Sequence, residues 1–249
     1  MNSGTTPENG ATDDHSGAVR ILPVGDTAMT VQFGEVVDEE VNRRVIALAE
    51  ALRSAAPDGL LETVPTYRSL LVSYDPEILR GAALERHLHG LLDGLDTGAA
   101  PGRLWRVPVV YGGAAGLDLE ELAEAKGMSP EALIKMHSDA EYRVYMIGFA
   151  PGFTYLGGLP EALHTPRLST PRLDIPAGAI GIGGQQASIN SVAGPSGWRF
   201  IGQTPWRAFD PDRAEPFLFA AGDRVRFVPV TEDEARAFAS PRPEQENLS

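Results

Sequence analysis

Apolar and polar residues alternate over Arg20-Ile-Leu-Pro23 and Ala28-Met-Thr-Val-Gln-Phe33, on either side of Val24-Gly-Asp26, which predicts two short strands around a turn. The period then changes. Val41, Val45, Leu48 and Leu52 recur at helical spacing and predict an amphipathic helix. Two more strands are predicted at Leu60–Val64 and Ser69–Tyr74. Asp75-Pro76 reads as N-cap and first-turn proline of a second helix carrying Leu84, Leu88, Leu91 and Leu95 on one face. The order ββαββα fits a small two-layer α+β sandwich with both helices on one face of the sheet.

Periodicity stops at Asp96-Thr-Gly-Ala-Ala-Pro-Gly102, small and polar in composition, and a domain boundary is expected there. The expected organisation is a disordered tail over 1–17, the α+β sandwich over 18–97 and a barrel domain over 98–240. Within the second domain, Leu104–Tyr111 alternates like a strand, and Asp118-x-x-Glu121 has the form of a capping box for a helix stopped at Gly127. Ser129-Pro130 caps a further helix reaching about His137. From Tyr142 to Val230 the chain is strand-like, rich in Gly and Pro and without a long helical pattern, which predicts a mainly-β barrel. One or two helical turns are expected over Thr231–Phe238.

Charge and composition narrow the chemistry. Twenty-one basic against 34 acidic residues leave a net charge of −13, a field that opposes binding to nucleic acid or an anionic membrane surface. With no cysteine there is no disulfide and no thiolate nucleophile or ligand. The first fourteen residues lack the basic and apolar regions of a signal peptide, and no apolar run approaches the ~20 residues of a membrane span, so a cytoplasmic protein is expected. The two lysines, Lys126 and Lys135, follow no Walker A glycine pattern. Gly181-Ile-Gly183 begins like a dinucleotide fingerprint, but Gln186 holds the third glycine position. Ser196 in Gly194-Pro-Ser-Gly-Trp198 misses a nucleophile elbow by one glycine, and the five scattered histidines suggest no metal site.

Three dense segments remain: Met146-Ile-Gly-Phe-Ala-Pro-Gly-Phe-Thr-Tyr-Leu-Gly-Gly-Leu-Pro160, Ile175-Pro-Ala-Gly-Ala-Ile-Gly-Ile-Gly-Gly-Gln-Gln186 and Gly194-Pro-Ser-Gly-Trp-Arg-Phe-Ile-Gly-Gln-Thr-Pro-Trp206. Glycines that permit unusual backbone, prolines that fix it and rigid rings together describe the wall of a site. From about Val19 to Val230 the chain resembles the family of 5-oxoprolinase B subunits, also known as the allophanate hydrolase subunit 1 or kinase-A inhibitor family. Gly148, Phe149, Pro151, Gly152, Phe153, Tyr155, Leu156, Gly158, Leu159 and Pro160 carry the first motif, and Pro176, Ala177, Gly178, Gly181, Gly183, Gly184 and Gln186 the second. Ser196, Leu168 and Ala187-Ser-Ile-Asn190 depart from its usual pattern.

The resemblance implies a cyclophilin-like barrel and a subunit of an ATP-dependent 5-oxoprolinase, with ATP and Mg bound in a complex. The expected partners are two further 5-oxoprolinase subunits, the larger cyclophilin-like C type and a third, the A type. The alternatives are a non-enzymatic inhibitor of a sensor histidine kinase and a carboxyltransferase-like subunit of an allophanate or urea pathway.

Candidate catalytic residues are His137, His164 and Arg172, and candidate substrate-binding residues are Phe149, Pro151, Gly152, Phe153, Arg167, Gly178, Gln186 and Gln203. His137 is expected at a helix C-terminus, where a cation is favoured, or simply packed at the domain surface. Arg167 and Arg172 suit bidentate recognition of an anion, or equally a local carboxylate. Gln186 and Gln203 can serve a lactam as donor and acceptor, or only the strands they sit on. Phe149, Phe153, Tyr155 and Trp198 are candidates for a core or, given their density beside glycine, for a subunit interface.

Overall fold

The computed structural model describes residues 18–98 and 102–238. The tail over 1–17, the centre of the expected boundary at 99–101 and the end beyond 238 lie outside the described residues. In the first segment β1 (Arg20–Val24), β2 (Ala28–Gln32), β3 (Leu60–Pro65) and β4 (Ser69–Tyr74) form one antiparallel sheet in the order β1-β2-β4-β3. Alternation puts Met29, Val31, Leu70, Val72 and Tyr74 on one face. That face is covered by Val45, Leu48 and Leu52 of α1 (Glu39–Ala55) and by Leu84 and Leu88 of α2 (Gly81–Asp93), all in a single apolar cluster. Asp38 fixes the start of α1, its carboxylate accepting from the N–H groups of Glu40 at 2.8 Å and Val41 at 3.1 Å.

Asp75 and Pro76 do not begin α2, contrary to the expectation from sequence. The Asp75 carboxylate accepts from Glu77 N at 2.9 Å and its carbonyl from Leu79 N at 2.8 Å, closing a separate turn. The Asp75 N–H is tied to the Gly59 carbonyl at 2.8 Å, so the chain must turn beside β3 before it can swing under the sheet. The helix begins at Gly81 without a side-chain cap.

The second segment contains β5 (Leu104–Tyr111), α3 (Leu119–Ala125), α4 (Pro130–Asp139), β6 (Tyr142–Ile147), β7 (Thr154–Gly157), β8 (Arg172–Ile175), β9 (Ala179–Gly183), β10 (Gln186–Ile189), β11 (Gly194–Ser196), β12 (Arg199–Gln203), β13 (Arg224–Pro229) and α5 (Glu232–Ala237). Seven of these strands close a barrel in the order β10-β7-β6-β13-β5-β12-β9, while β8 and β11 form a separate ribbon. The molecule is thus a mixed α/β structure with a closed seven-stranded barrel. β13 runs parallel to β5 and the other barrel pairings are antiparallel. Leu119, Leu122 and Leu133 of the two helices join Val107, Val144 and Phe227 in the main core. Ser129 caps α4 as its sequence predicts, accepting from Ala132 N at 3.2 Å.

The two segments meet through a buried polar contact. Asn42 of α1 is fully buried, and its Nδ2 donates to the carbonyls of Thr66 at 3.1 Å, Tyr67 at 3.4 Å and Tyr145 at 3.1 Å. One amide therefore ties α1, the β3–β4 hairpin and barrel strand β6. Among the described residues no helix is long and apolar enough to cross a membrane.

Candidate functional site

The alternating glycines of β9 set up the site. Ile180 and Ile182 face the main core, whereas Gly181 and Gly183 lie on the opposite face of the barrel wall. A Cβ on Gly183 would sit 2.8 Å from the Trp198 ring, and one on Gly181 would sit 3.0 Å from Phe200. These glycines exist to admit rings. That space places Trp198 and Phe200 in a second apolar cluster with Phe153, Ile175 and Ala179.

Against this cluster lies a cleft of about 270 Å³, lined by Phe149, Phe153, Tyr155, Arg167, Asn190 and Trp198, with Pro171 and the Pro195-Ser-Gly197 turn closing its rim. Phe153 packs edge-on to Tyr155 at 4.7 Å and to Trp198 at 6.0 Å between ring centres, so the wall is a continuous aromatic surface. The β6–β7 loop is closed by Gly148 N donating to Phe153 O at 3.1 Å and by Phe153 N donating to Ala150 O at 3.0 Å. Its tip holds Phe149 at φ +69° with the residue 80% exposed. A bulky side chain in the left-handed region costs of order 1–3 kcal/mol and persists where the surroundings impose it.

Arg167 supplies the charge. Its guanidinium lies 4.9 Å over the Trp198 ring and makes no ion pair among the described residues. This cation is exposed at the cleft, stacked on an indole face and without a carboxylate of its own, which leaves its donors open to an anionic group. Burial raises the phenol pKa of Tyr155, and the Arg167 charge partly offsets that rise. The rings around Arg167 therefore stay neutral.

Arg172 does something else. It forms a bidentate pair with Asp118, at 2.8 Å and 2.6 Å, and this carboxylate also accepts from Phe200 N at 2.6 Å. Asp118 is fully buried. The capping role expected of it is not realised, because its oxygens are committed to these partners and α3 has no side-chain cap. Of the two readings open for Arg172, the local carboxylate is the one observed. The pair staples the β8–β11 ribbon, which carries part of the cleft rim, to α3 and β12.

The other candidates are dispersed. His137 does end α4, but it is wholly buried, stacked on Phe227 at 4.7 Å with Nδ1 2.8 Å from the Tyr111 hydroxyl. Burial lowers its pKa to about 3, so the expected cation is a neutral ring inside the barrel core. His164 has its Nε2 3.0 Å from the Leu159 carbonyl, and its own carbonyl accepts from Lys126 Nζ at 2.6 Å. It latches a loop and does not line the cleft. Pro151 is exposed on the loop, and Gly152, at φ +75°, packs where a Cβ would meet Phe209 at 2.7 Å.

Gln186 sits on β10 opposite Gly183, beside a turn. Gln203 donates to Ala177 O at 2.9 Å and lines a different cavity, of about 490 Å³, next to Trp206 and α5. Gly178 binds Thr204 N and Asn190 O through its backbone on that same side. The structure thus brings Phe149, Phe153 and Arg167 together, and adds Tyr155, Trp198, Asn190 and Ser196, the last two being positions where the chain departs from the family pattern. Sequence spacing carries no sign of Asp118 as the partner of Arg172, since 54 residues separate them.

An aromatic cleft bearing the Arg167 guanidinium, on the wall of a closed seven-stranded barrel, marks a barrel-containing protein of mixed α/β fold. The model of the carboxyltransferase domain, subdomain C and D, matches residues 19–219. The chain is 38% identical over 233 residues to the B subunit of 5-oxoprolinase from Bacillus subtilis, covering 88% of this chain and 96% of that one. It is 41% identical over 214 residues to the B subunit of 5-oxoprolinase from Escherichia coli, covering 86% and 97%. The solved structure of TTHA0988 superposes with a TM-score of 0.74 at 43% identity, covering 82% of this chain and 40% of that longer one. The chain belongs to the family of 5-oxoprolinase B subunits, which carries this carboxyltransferase domain.

Proposed function

We propose that this chain is a subunit of an ATP-dependent 5-oxoprolinase that opens 5-oxo-L-proline to L-glutamate, active with a larger cyclophilin-like partner and a third subunit, and that its own barrel is of the cyclophilin-like kind. The observation that carries the reading is the Arg167 guanidinium, unpaired and laid on Trp198 in a cleft of about 270 Å³. That volume lies just below the usual range of ligand pockets, about 300–1,000 Å³, and suits a compact ring bearing one carboxylate. The names of the relatives support the same substrate.

The Mg-nucleotide expected from the resemblance does not fit the aromatic cleft, which at about 270 Å³ is too small for it. We assign the nucleotide to the partner side of the complex and derive no step through it. What this chain offers is orientation: a cation for the carboxylate and an apolar wall that excludes water from the ring. Phe149 at the cleft, 80% exposed, and Leu173 on β8, 87% exposed, are the apolar anchors offered to a partner surface.

Co-expression with the larger subunit, followed by measurement of 5-oxoproline-dependent ATP hydrolysis, tests the reading. Turnover by the complex and none by the isolated chain is expected. Arg167→Gln should reduce kcat/KM by ~10²-fold or more, the scale of a lost charged hydrogen-bonding partner. A complex that hydrolyses no ATP with 5-oxoproline present would overturn it and favour the kinase-inhibitor alternative, for which the exposed Phe149 and Leu173 would be the docking residues.

A further inference from the structure

Tyr67 lies at the tip of the β3–β4 hairpin, in the sequence segment that builds the sheet and not the barrel. Its ring is edge-on to Tyr145 at 5.4 Å and to the cleft residue Tyr155 at 6.0 Å. The backbone is fixed on both sides: Thr66 N donates to Ser69 O at 2.8 Å, and the Tyr67 carbonyl accepts from buried Asn42. The phenol oxygen at the end of this rigid arm is buried and has no hydrogen-bond partner among the described residues. A buried hydroxyl without an acceptor is destabilising, and a ligand oxygen that accepts from it relieves that cost. The positive charge of Arg167 acts on this phenol as it does on Tyr155. Two donors that lack an acceptor, one charged and one neutral, therefore border the same aromatic wall.

We propose that the Tyr67 hydroxyl is a second anion-binding donor of the cleft, which with Arg167 grips the carboxylate of a small cyclic acid. The identity of that acid as 5-oxoproline rests on the function proposed above; the two-donor grip does not. An entering carboxylate draws the Arg167 guanidinium off the Trp198 face, reaches the hydroxyl behind the Tyr155 ring and is then shared between the two donors. The hairpin of the first segment thereby completes a site otherwise built by the barrel, with Asn42 holding the arm in place.

Trp198 is a native reporter, because loss of the guanidinium from its face changes its fluorescence, while Trp105 and Trp206 sit in the main core as background. The full chain, alone and with its co-expressed larger partner, is titrated with 5-oxoproline, 2-pyrrolidinone and cyclopentanecarboxylate, as wild type, Tyr67→Phe and Arg167→Gln. The expected result is a saturable response to 5-oxoproline and none to 2-pyrrolidinone, which has the ring without the carboxylate. Tyr67→Phe should bind about tenfold more weakly, with an unchanged or raised melting temperature, and Arg167→Gln should not respond. If cyclopentanecarboxylate binds and 5-oxoproline does not, and Tyr67→Phe weakens that binding, the grip stands and the substrate assignment falls. If Tyr67→Phe binds whichever acid is active as well as wild type does, or no acid binds to any form, the grip is overturned.

Discussion

The two segments of this molecule solve the same problem, covering a sheet, by opposite means. Over residues 18–98 the cover is periodic: every second residue of β2 and β4 meets leucines spaced by a helical turn. Over residues 102–238 the cover is made by exception. Glycines stand where side chains should be so that Trp198 and Phe200 can lie on the wall, a buried aspartate holds a ribbon through an arginine, and a histidine is sealed neutral among rings. Periodic packing is robust and chemically silent. Packing by exception leaves polar groups committed, and the one guanidinium of the cleft uncommitted, which is where a ligand can be read. We propose that the two segments are separate domains joined over residues 96–102.

The sharpest way to break this contrast is to truncate one buried apolar side chain on each side. Leu48→Ala and Phe153→Ala each empty a core and should each cost about 3–4 kcal/mol in urea unfolding. Only Phe153→Ala should also abolish the Trp198 response to ligand, since its ring is part of the cleft. Phe153 is thus a core ring with 2% exposure, and the anchor offered to a partner is Phe149. Loss of ligand response in Leu48→Ala at a temperature where it is folded would show that the first segment's core shapes the cleft directly.

Next in size, Arg172→Ala leaves the buried Asp118 carboxylate without its counter-charge and should cost on the order of 3 kcal/mol. Asp118→Asn together with Arg172→Ala should recover part of that loss, measured as a double-mutant cycle in thermal unfolding. A neutral Arg172→Ala variant would mean the ribbon is held without the pair.

The smallest effect is graded by pH. His137 titrates near 6.5 when unfolded and near 3 when folded, so below pH 6.5 the unfolded chain binds a proton that the native core excludes. Its effect is absent above pH 6.5 and grows as the pH falls below it, reaching about 2 kcal/mol at pH 5. Comparison of His137→Leu with wild type in denaturant titrations at pH 7 and pH 5 checks this: the variant should lose less stability on acidification. An equal loss in both proteins would place the acid sensitivity elsewhere.

How legible each segment is in the sequence follows from the same contrast. Val41, Val45, Leu48 and Leu52 announce α1 because helical geometry repeats within a few residues, and β4 is readable to its ends because strand alternation is equally local. Local rules fail at Asp75 and at Asp118, two residues with good capping chemistry whose carboxylates or N–H groups are claimed by partners distant in sequence. In the cleft, Phe149, Phe153 and Arg167 follow from local composition and the family motif. Tyr67 and the fate of Arg172 do not, because no spacing rule links a hairpin tip or a helix start to a ribbon many residues away. His137 stands on the helix its sequence predicts, and only burial, invisible in one dimension, decides that it is uncharged.

The parallel pairing of β13 with β5 carries a consequence for how the chain comes to exist. Arg224 is paired with Leu104 and Pro229 with Val109, so the barrel closes only when a strand from near the end of the described chain reaches one laid down at the start of the second segment. Closing so long a loop is entropically slow, and contacts of this separation dominate folding times. During synthesis the first segment can assemble while β13 is still inside the ribosome. The Asn42 amide and the Tyr67 ring are then in position before there is a barrel to receive them, and the strand they meet first is β6, through the carbonyl and ring of Tyr145.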